Sequence, residues 1–267
     1  MKRLIVTADD VGLHPGMTRG ALAAHDGGIV TAVSVSPNGQ AFEPAVELLR
    51  DRPRLDVGAH LTLVGERPLS PPETIPSLVD PDGRLHSGYP VFAARYALGR
   101  LHAADLETEL RAQLERLLAT GLRVVHLNSH QHLHMLPRLF EIVLRLAQEH
   151  GISAVRIPSE PETGISLRAL QLAGLNALGR RARSLGGTDR TVGVLVAGHL
   201  NPARLRRCLD QVDGVTELVC HPGLGRAELA AAYDWDYAWE EEAAALTDPA
   251  LPALLQERGI SLGSFSK

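Results

Sequence analysis

Four histidines fall within nine residues of this chain, at His126, His130, His132 and His134. They recur at even spacing, and side chains two apart share one face of an extended chain. β-Branched Val124 and Val125 open the run, and Pro137 begins a helix after it. The pattern reads as a buried strand that ends in a polar mouth. Imidazoles converging at a strand end suit a divalent ion of the zinc or late-transition class. A lone histidine there would be read as a hydrogen-bonded loop residue. Four together favour a metal or catalytic role.

A second centre is Asp9-Asp10. Adjacent carboxylates repel unless their roles are separated. If one binds a metal, its charge is neutralised, and the other can remain a base poised near neutral pH. A simple Asp-Asp turn or helix cap competes with this reading. The apolar run that leads straight into the pair favours chemistry.

The elements that must position these groups alternate. Residues 4–7 read as a strand covered on both faces, 15–27 as a helix, 29–36 as a strand closing at Pro37-Asn38-Gly39, 42–50 as a helix and 56–63 as a strand with His60 late in it. Helices follow over 104–119 and 136–149, around the histidine strand. A strand at 154–158 carries Arg156, and 166–186 reads as helical. An apolar β-branched run spans 191–197, with His199 after it. Asn201 caps a helix opening at Pro202, a strand over 217–220 ends in His221-Pro222-Gly223, and 259–265 supplies a last strand. The segment 64–101 breaks the rhythm. It is rich in Pro and Gly and reads as an irregular insertion, either a lid or a surface excursion. Its Tyr89, Phe92 and Tyr96 point to contact with substrate or a second subunit, so a homodimer is among the expectations.

The candidate polar groups collect at strand ends: Asp9 and Asp10, Asn38, His60, His130, Arg156, His199 and His221. A closed parallel barrel brings all such ends to one face, whereas an open doubly wound sheet spreads them along a line. The expectation is one α/β domain over 1–267, a distorted parallel (β/α) barrel. No glycine-rich dinucleotide fingerprint follows the first strand, which argues against a nicotinamide enzyme.

Composition narrows the setting. At 267 residues the chain can bury a sizeable core. The formal net charge of −4 does not indicate a polyanion-binding surface, so no nucleic-acid partner is expected. The basic cluster Arg180, Arg181 and Arg183 reads as a solvated helix face. Two cysteines, Cys208 and Cys220, are too few for a disulfide framework. The first apolar run meets two carboxylates too soon for a signal peptide, and no run is long enough to span a bilayer. A cytoplasmic protein with no transmembrane segment is expected.

At these residues the sequence resembles the YdjC-like carbohydrate deacetylases, which include chitooligosaccharide deacetylases and a hopanoid-biosynthesis-associated branch. The matching pieces are Thr7-Ala8-Asp9-Asp10-Val11-Gly12-Leu13, Asn38-Gly39-Gln40-Ala41, Val57-Gly58-Ala59-His60-Leu61, the run from His126 to His134, Cys220-His221-Pro222-Gly223 and Tyr233-Asp234-Trp235. The resemblance implies a distorted barrel, like the wider NodB-type polysaccharide deacetylases, with one divalent metal ion, Mg2+ or Zn2+. It implies Asp10, His60 and His130 as ligands, Asp9 as general base, Arg156 as the residue orienting that base and His221 as general acid. Asn38 would contact substrate. Two departures stand out. Asn128 replaces an Asp that many members carry, and Trp235-Asp236-Tyr237 lacks the Arg that often follows the aromatic pair.

The implied reaction is metal-assisted hydrolysis of an N-acetyl group on a sugar or glycolipid headgroup. A glycoside hydrolase is an alternative, because paired carboxylates on a barrel also cut glycosidic bonds. A non-catalytic metal-binding protein on the same scaffold is another.

Overall fold

The computed structural model describes residues 1–158, 160 and 187–266. The helix expected over 166–186 and the basic cluster Arg180, Arg181 and Arg183 lie outside the described residues. The first strand, β1 (Lys2–Val11), carries Leu4, Ile5, Val6 and Ala8, all essentially inaccessible. An apolar run without alternation is what burial on both faces demands. It is joined by β2 (Ala32–Val35), β3 (Asp56–Leu61), β4 (Val124–Ser129), β5 (Ala154–Val155), β6 (Arg190–Val192), β7 (Val215–Cys220) and β8 (Ile260–Leu262).

Every pairing among these strands is parallel, in the order β5-β4-β3-β2-β1-β7-β6. One edge of β1 pairs with β7 from Arg3 to Ala8. The other edge is shared: β8 takes Lys2 to Leu4, and β2 begins at Thr7. The sheet curls. Arg156, just past β5 at one end of the order, bonds Glu217 on β7 near the other end. Thr191 Oγ1 donates to Ile157 O at 2.9 Å across the same gap, where no backbone ladder joins β5 to β6 among the described residues. The result is a distorted parallel barrel.

Helices clothe it. They are α1 (Pro15–Asp26), α2 (Phe42–Arg50), α3 (Gly88–Ala97), α4 (Ala103–Leu118), α5 (Pro137–Glu149), α6 (Pro202–Asp210), α7 (Arg226–Ala232), α8 (Trp239–Leu246) and α9 (Leu251–Glu257). Local signals set several boundaries. Pro15 occupies the first turn of α1, with His14 Nδ1 accepting from Gly16 N at 3.1 Å. Asn201 caps α6 by accepting from Arg204 N at 2.9 Å. None of the described helices is long and apolar enough to cross a membrane.

The segment 64–101 is more ordered than its composition predicts. It contains a 3₁₀ turn (Pro72–Thr74), a bridge between Val79 and Leu85, and α3. Ile75, Leu78, Leu85 and Phe92 are buried in the main core. Buried carboxylates on α4 hold its backbone: Glu109 accepts from Leu69 N at 3.0 Å and Ser70 N at 2.9 Å, and Asp105 from Ser77 N at 2.9 Å. These bonds fasten the segment to α4. Replacing Glu109 with Ala orphans those two amides and removes one of the bonds of Gln113 Nε2, which keeps Thr62 O. The expected cost is about 3 kcal/mol, read from the urea midpoint, with earlier proteolysis within 64–101. An unchanged midpoint would show that the apolar contacts alone hold the segment.

Candidate active site

The site begins with a backbone irregularity. Adjacent residues of a regular strand face opposite ways. Between Ala8 and Val11 the β1–β2 register shifts, and Asp10 has φ 64°. Asp tolerates this left-handed conformation better than most residues. Such a bulge re-aims side chains. Both carboxylates consequently reach His60: Asp10 Oδ1 lies 3.1 Å from His60 Nε2, and Asp9 Oδ1 lies 3.9 Å from His60 Nδ1.

The histidine run does not stay extended. β4 ends at Ser129, and His130–Met135 forms 3₁₀ turns with positive φ at Gln131 and His132. The shared face predicted by even spacing is therefore absent, and the four histidines have four environments. His130 Nδ1 lies 3.0 Å from Asp10 Oδ1. His126 meets Ser34 Oγ inside the barrel at 3.1 Å. His134 bonds Ser129 Oγ at 2.7 Å and Arg156 O at 2.9 Å. His132 lines the cavity, with Nδ1 buried and unpartnered. Burial, followed by the Arg156 charge, lowers His126 to about 3; burial with the same charge lowers His134 to about 4, although a backbone bond opposes it. Both are neutral.

Asp10, His60 and His130 each offer a ligand atom, and these atoms lie within 4.8 Å of one another. The set of one carboxylate and two imidazoles suits a divalent cation. His60 Nε2 is buried and makes no hydrogen bond, although Asp10 is close. A cation between them would satisfy both, so the residues fit a metal ion.

Asp9 faces a different partner. Arg156 Nη1 donates to its Oδ2 at 2.5 Å and Nη2 to its Oδ1 at 2.9 Å. The same guanidinium donates to Glu217 Oε1 from Nε at 3.1 Å and from Nη2 at 2.8 Å. Burial opposes the charge on Asp9, but the Arg156 guanidinium overcomes it and holds the carboxyl well below the usual range. Against the expectation of a base poised near neutrality, the guanidinium favours the ionised form of Asp9. Asp10 is likewise lowered, with His130 overcoming burial.

His221 follows β7. Its backbone N donates to Glu242, a fully buried carboxylate that also accepts from Leu200 N at 3.0 Å. Its Nδ1 is buried without a hydrogen-bond partner among the described residues, and Tyr237 meets its ring edge-on at 5.3 Å. One cavity of about 400 Å³ is lined by Asp9, His60, His130, His221, Trp235 and Tyr237. Asn38 opens instead onto a neighbouring cavity of about 460 Å³, which shares His130, Gln131 and Trp235 with the first. Its amide donates to Thr62 O and Arg67 O, so it braces the loop after β3, while its Oδ1 is buried and unpartnered. His199 lies 3.9 Å from Asp236 and does not line this cavity.

Ser34 and Glu217 escaped the sequence reading, and Asn128 stood out there only as a departure from the family pattern, with no role given. All three are buried polar partners of the named groups. Trp235 stacks on His130 at 5.1 Å and 25°. Its signal was available, because residues 233, 235, 237 and 239 are all aromatic.

The sequence pattern of the family described as YdjC-like protein matches residues 3–257. The chain belongs to this family. A carbohydrate deacetylase of Geobacillus stearothermophilus is 34% identical over 98% of this chain and 96% of its own length. One from Mus musculus is 32% identical over 97% of this chain and 93% of its own. Among solved structures, an Enterococcus faecalis protein provisionally described as a cellobiose-phosphate cleavage protein superposes with TM-score 0.81 at 26% identity, covering 99% of this chain and 97% of that one. A family 4 carbohydrate esterase from Streptomyces lividans, in complex with acetate, shares the fold with TM-score 0.51 at 11% identity over 98% of this chain and 92% of its own.

The Arg156 ion triad generates a pH prediction for this YdjC-like chain. The folded pKa of Asp9 lies below its ordinary 3.8, so its stabilising contribution is present above that value and lost as pH falls through the folded pKa. Arg156→Met leaves two buried carboxylates uncompensated and should cost about 3–5 kcal/mol at neutral pH. Burial, the largest influence on Asp9 and no longer offset by the guanidinium, then raises Asp9 against the weaker pull of His60 and His221, so the variant binds a proton on folding. Its urea midpoint should rise as pH is lowered from neutral towards about 5. A midpoint independent of pH over that window would remove Arg156 as the cause of the ionised state.

Proposed function

We propose that the protein is a metal-dependent carbohydrate deacetylase that removes an N-acetyl group from an amino sugar, an oligosaccharide or a glycolipid headgroup. The observation that carries this reading is one cavity lined by an Arg-gripped carboxylate, by His60 and His130 of the Asp-His-His set and by a histidine with an unpartnered ring nitrogen. The relatives named carbohydrate deacetylase support it over nearly the whole chain.

A divalent ion, Mg2+ or Zn2+, held by Asp10, His60 and His130 would supply Lewis acidity at the acyl carbonyl and make water more acidic. Asp9 accepts the proton of the attacking water. Its Oδ2 has one partner, Arg156 Nη1, and so keeps a lone-pair site free. A carboxylate this well ionised is a weak base, and its value lies in a fixed orientation at close range. His221 donates a proton to the departing amine, which leaves poorly without one. Trp235, stacked on His130 and lining both cavities, offers a face for a sugar ring.

Glycosidic cleavage, which the description of the Enterococcus faecalis protein would suggest, needs two carboxyl groups flanking the scissile bond. Among the described residues Asp9 is the carboxylate lining the cavity beside His221, and Arg156 grips it; Glu66 opens on the neighbouring one. Incubation with N-acetylated oligosaccharides should release acetate without shortening the chain, and a chelator should stop it. Shortened products without acetate would establish the glycosidase. Asp9→Asn should retain the metal and lose about 10²–10⁴-fold in turnover. His221→Ala should damage amide hydrolysis far more than hydrolysis of an activated aryl acetate, whose leaving group needs no proton. Equal loss on both substrates would leave His221 a scaffold residue.

A further inference from the structure

A hydrogen-bond chain runs beneath the ligand set, and the reaction outlined above does not use it. At its centre is Asn128, fully buried on β4. Its Oδ1 lies 2.7 Å from His60 Nδ1. Its Nδ2 lies 3.3 Å from Asp9 Oδ1 and 2.7 Å from Ser34 Oγ. Ser34 Oγ in turn lies 3.1 Å from His126 Nε2.

One fixed charge sets the direction of these bonds. Arg156 grips both oxygens of Asp9 and holds it as a carboxylate, which can only accept. The group that Asn128 turns to Asp9 is therefore its NH2. The group it turns to His60 is its carbonyl oxygen, which also only accepts. His60 Nδ1 must carry the hydrogen, and in a neutral imidazole the lone pair then sits on Nε2. That nitrogen is the one placed 3.1 Å from Asp10 Oδ1 without a hydrogen bond. The amide is fixed from its other side as well. Ser34 Oγ accepts from Nδ2, which leaves its O–H to donate to His126 Nε2. Nearly complete burial keeps His126 neutral, so that nitrogen can accept.

We propose that Asn128 is a positioning residue. It turns its NH2 to the Asp9 carboxylate that Arg156 grips and its carbonyl oxygen to His60, imposing on His60 the tautomer whose Nε2 lone pair faces the ion site. The inference rests on the reading of Asp10, His60 and His130 as the metal ligands. A carboxylate at position 128 could not do the same, because it has no donor for Asp9 and would set a negative charge against it. A leucine of similar volume would leave the His60 Nδ1–H without an acceptor.

Two readouts test this. The first is the 15N spectrum of His60 in the metal-free wild-type protein at alkaline pH, where the imidazole is neutral. The proton is expected on Nδ1, and a proton on Nε2 overturns the proposal. The second is Zn2+ binding by calorimetry to wild type and Asn128→Leu. The variant should bind about 10–100-fold more weakly, the usual cost of losing a ligand's outer partner. Its His60 spectrum should show mixed tautomers. A natively folded variant that binds Zn2+ as tightly as wild type also overturns the proposal. If the variant does not fold, the wild-type spectrum decides alone. If wild type takes up no Zn2+, the metal reading fails, and the spectrum still decides the role of Asn128.

Discussion

The structure depends on one guanidinium placed out of reach of water. Arg156 has no exposed side-chain surface, and neither does Glu217; Asp9 has almost none. Removing three charges from water is costly, and such a triad is often no more stabilising than apolar residues of the same volume. Its geometric consequence is definite. It ties the end of β5 to β1 and β7, strands that lie far apart in the sheet order, and so it links the two sides of the curled sheet. Charge and curvature are set by the same contact.

The triad also explains how two adjacent carboxylates keep separate identities. Asp9 is answered by Arg156, a permanent cation with a fixed fork. Asp10 is answered by two imidazoles, His60 and His130, whose nitrogens can be lone pairs or donors. The bulge at Asp10 makes this division possible, since a regular strand would have sent one carboxylate outwards. Close packing preserves the arrangement. A Cβ on Gly58 would come within 2.3 Å of the His126 ring, and one on Gly20 within 2.3 Å of Gly223, just past His221. Glycine at these two positions lets the polar interior and the His221 loop approach their neighbours.

Legibility in the sequence followed the range of the interactions. Helix α2 was read at its observed bounds because its apolar spacing and its ends are local signals. Asp9, Asp10, His60, His130 and His221 stood out as reactive side chains at strand ends; the barrel brings Asp9, His60, His130 and His221 to one cavity and sets Asp10 against the two ligand histidines. The even spacing of the histidines misled, because positive φ at Gln131 and His132 ends the extended run and no residue type there announces it. Helices α7, α8 and α9 went unread, as did α3 within a Pro- and Gly-rich segment whose order comes from Glu109 and Asp105 some 30 or 40 residues away in sequence. Asn128, Ser34 and Glu217 take their meaning from partners across the barrel, and a single strand's pattern contains none of that information.

The tail returns beneath the sheet: Arg3 Nη2 donates to Ser264 O at 2.6 Å, and Asp56 accepts from the Phe265 and Ser266 amides. Phe265 stacks on His126 at 4.3 Å and 25°. The polar chain that starts at Asp9 and passes through Asn128 and Ser34 therefore ends at a neutral imidazole under an aromatic ring. On that side, polarity gives way to an apolar cap. On the other side, Asp9, His60 and His130 open onto the cavity. At the mouth a buried arginine, and not solvent, favours the charged form of the carboxylate that stands beside the ion site.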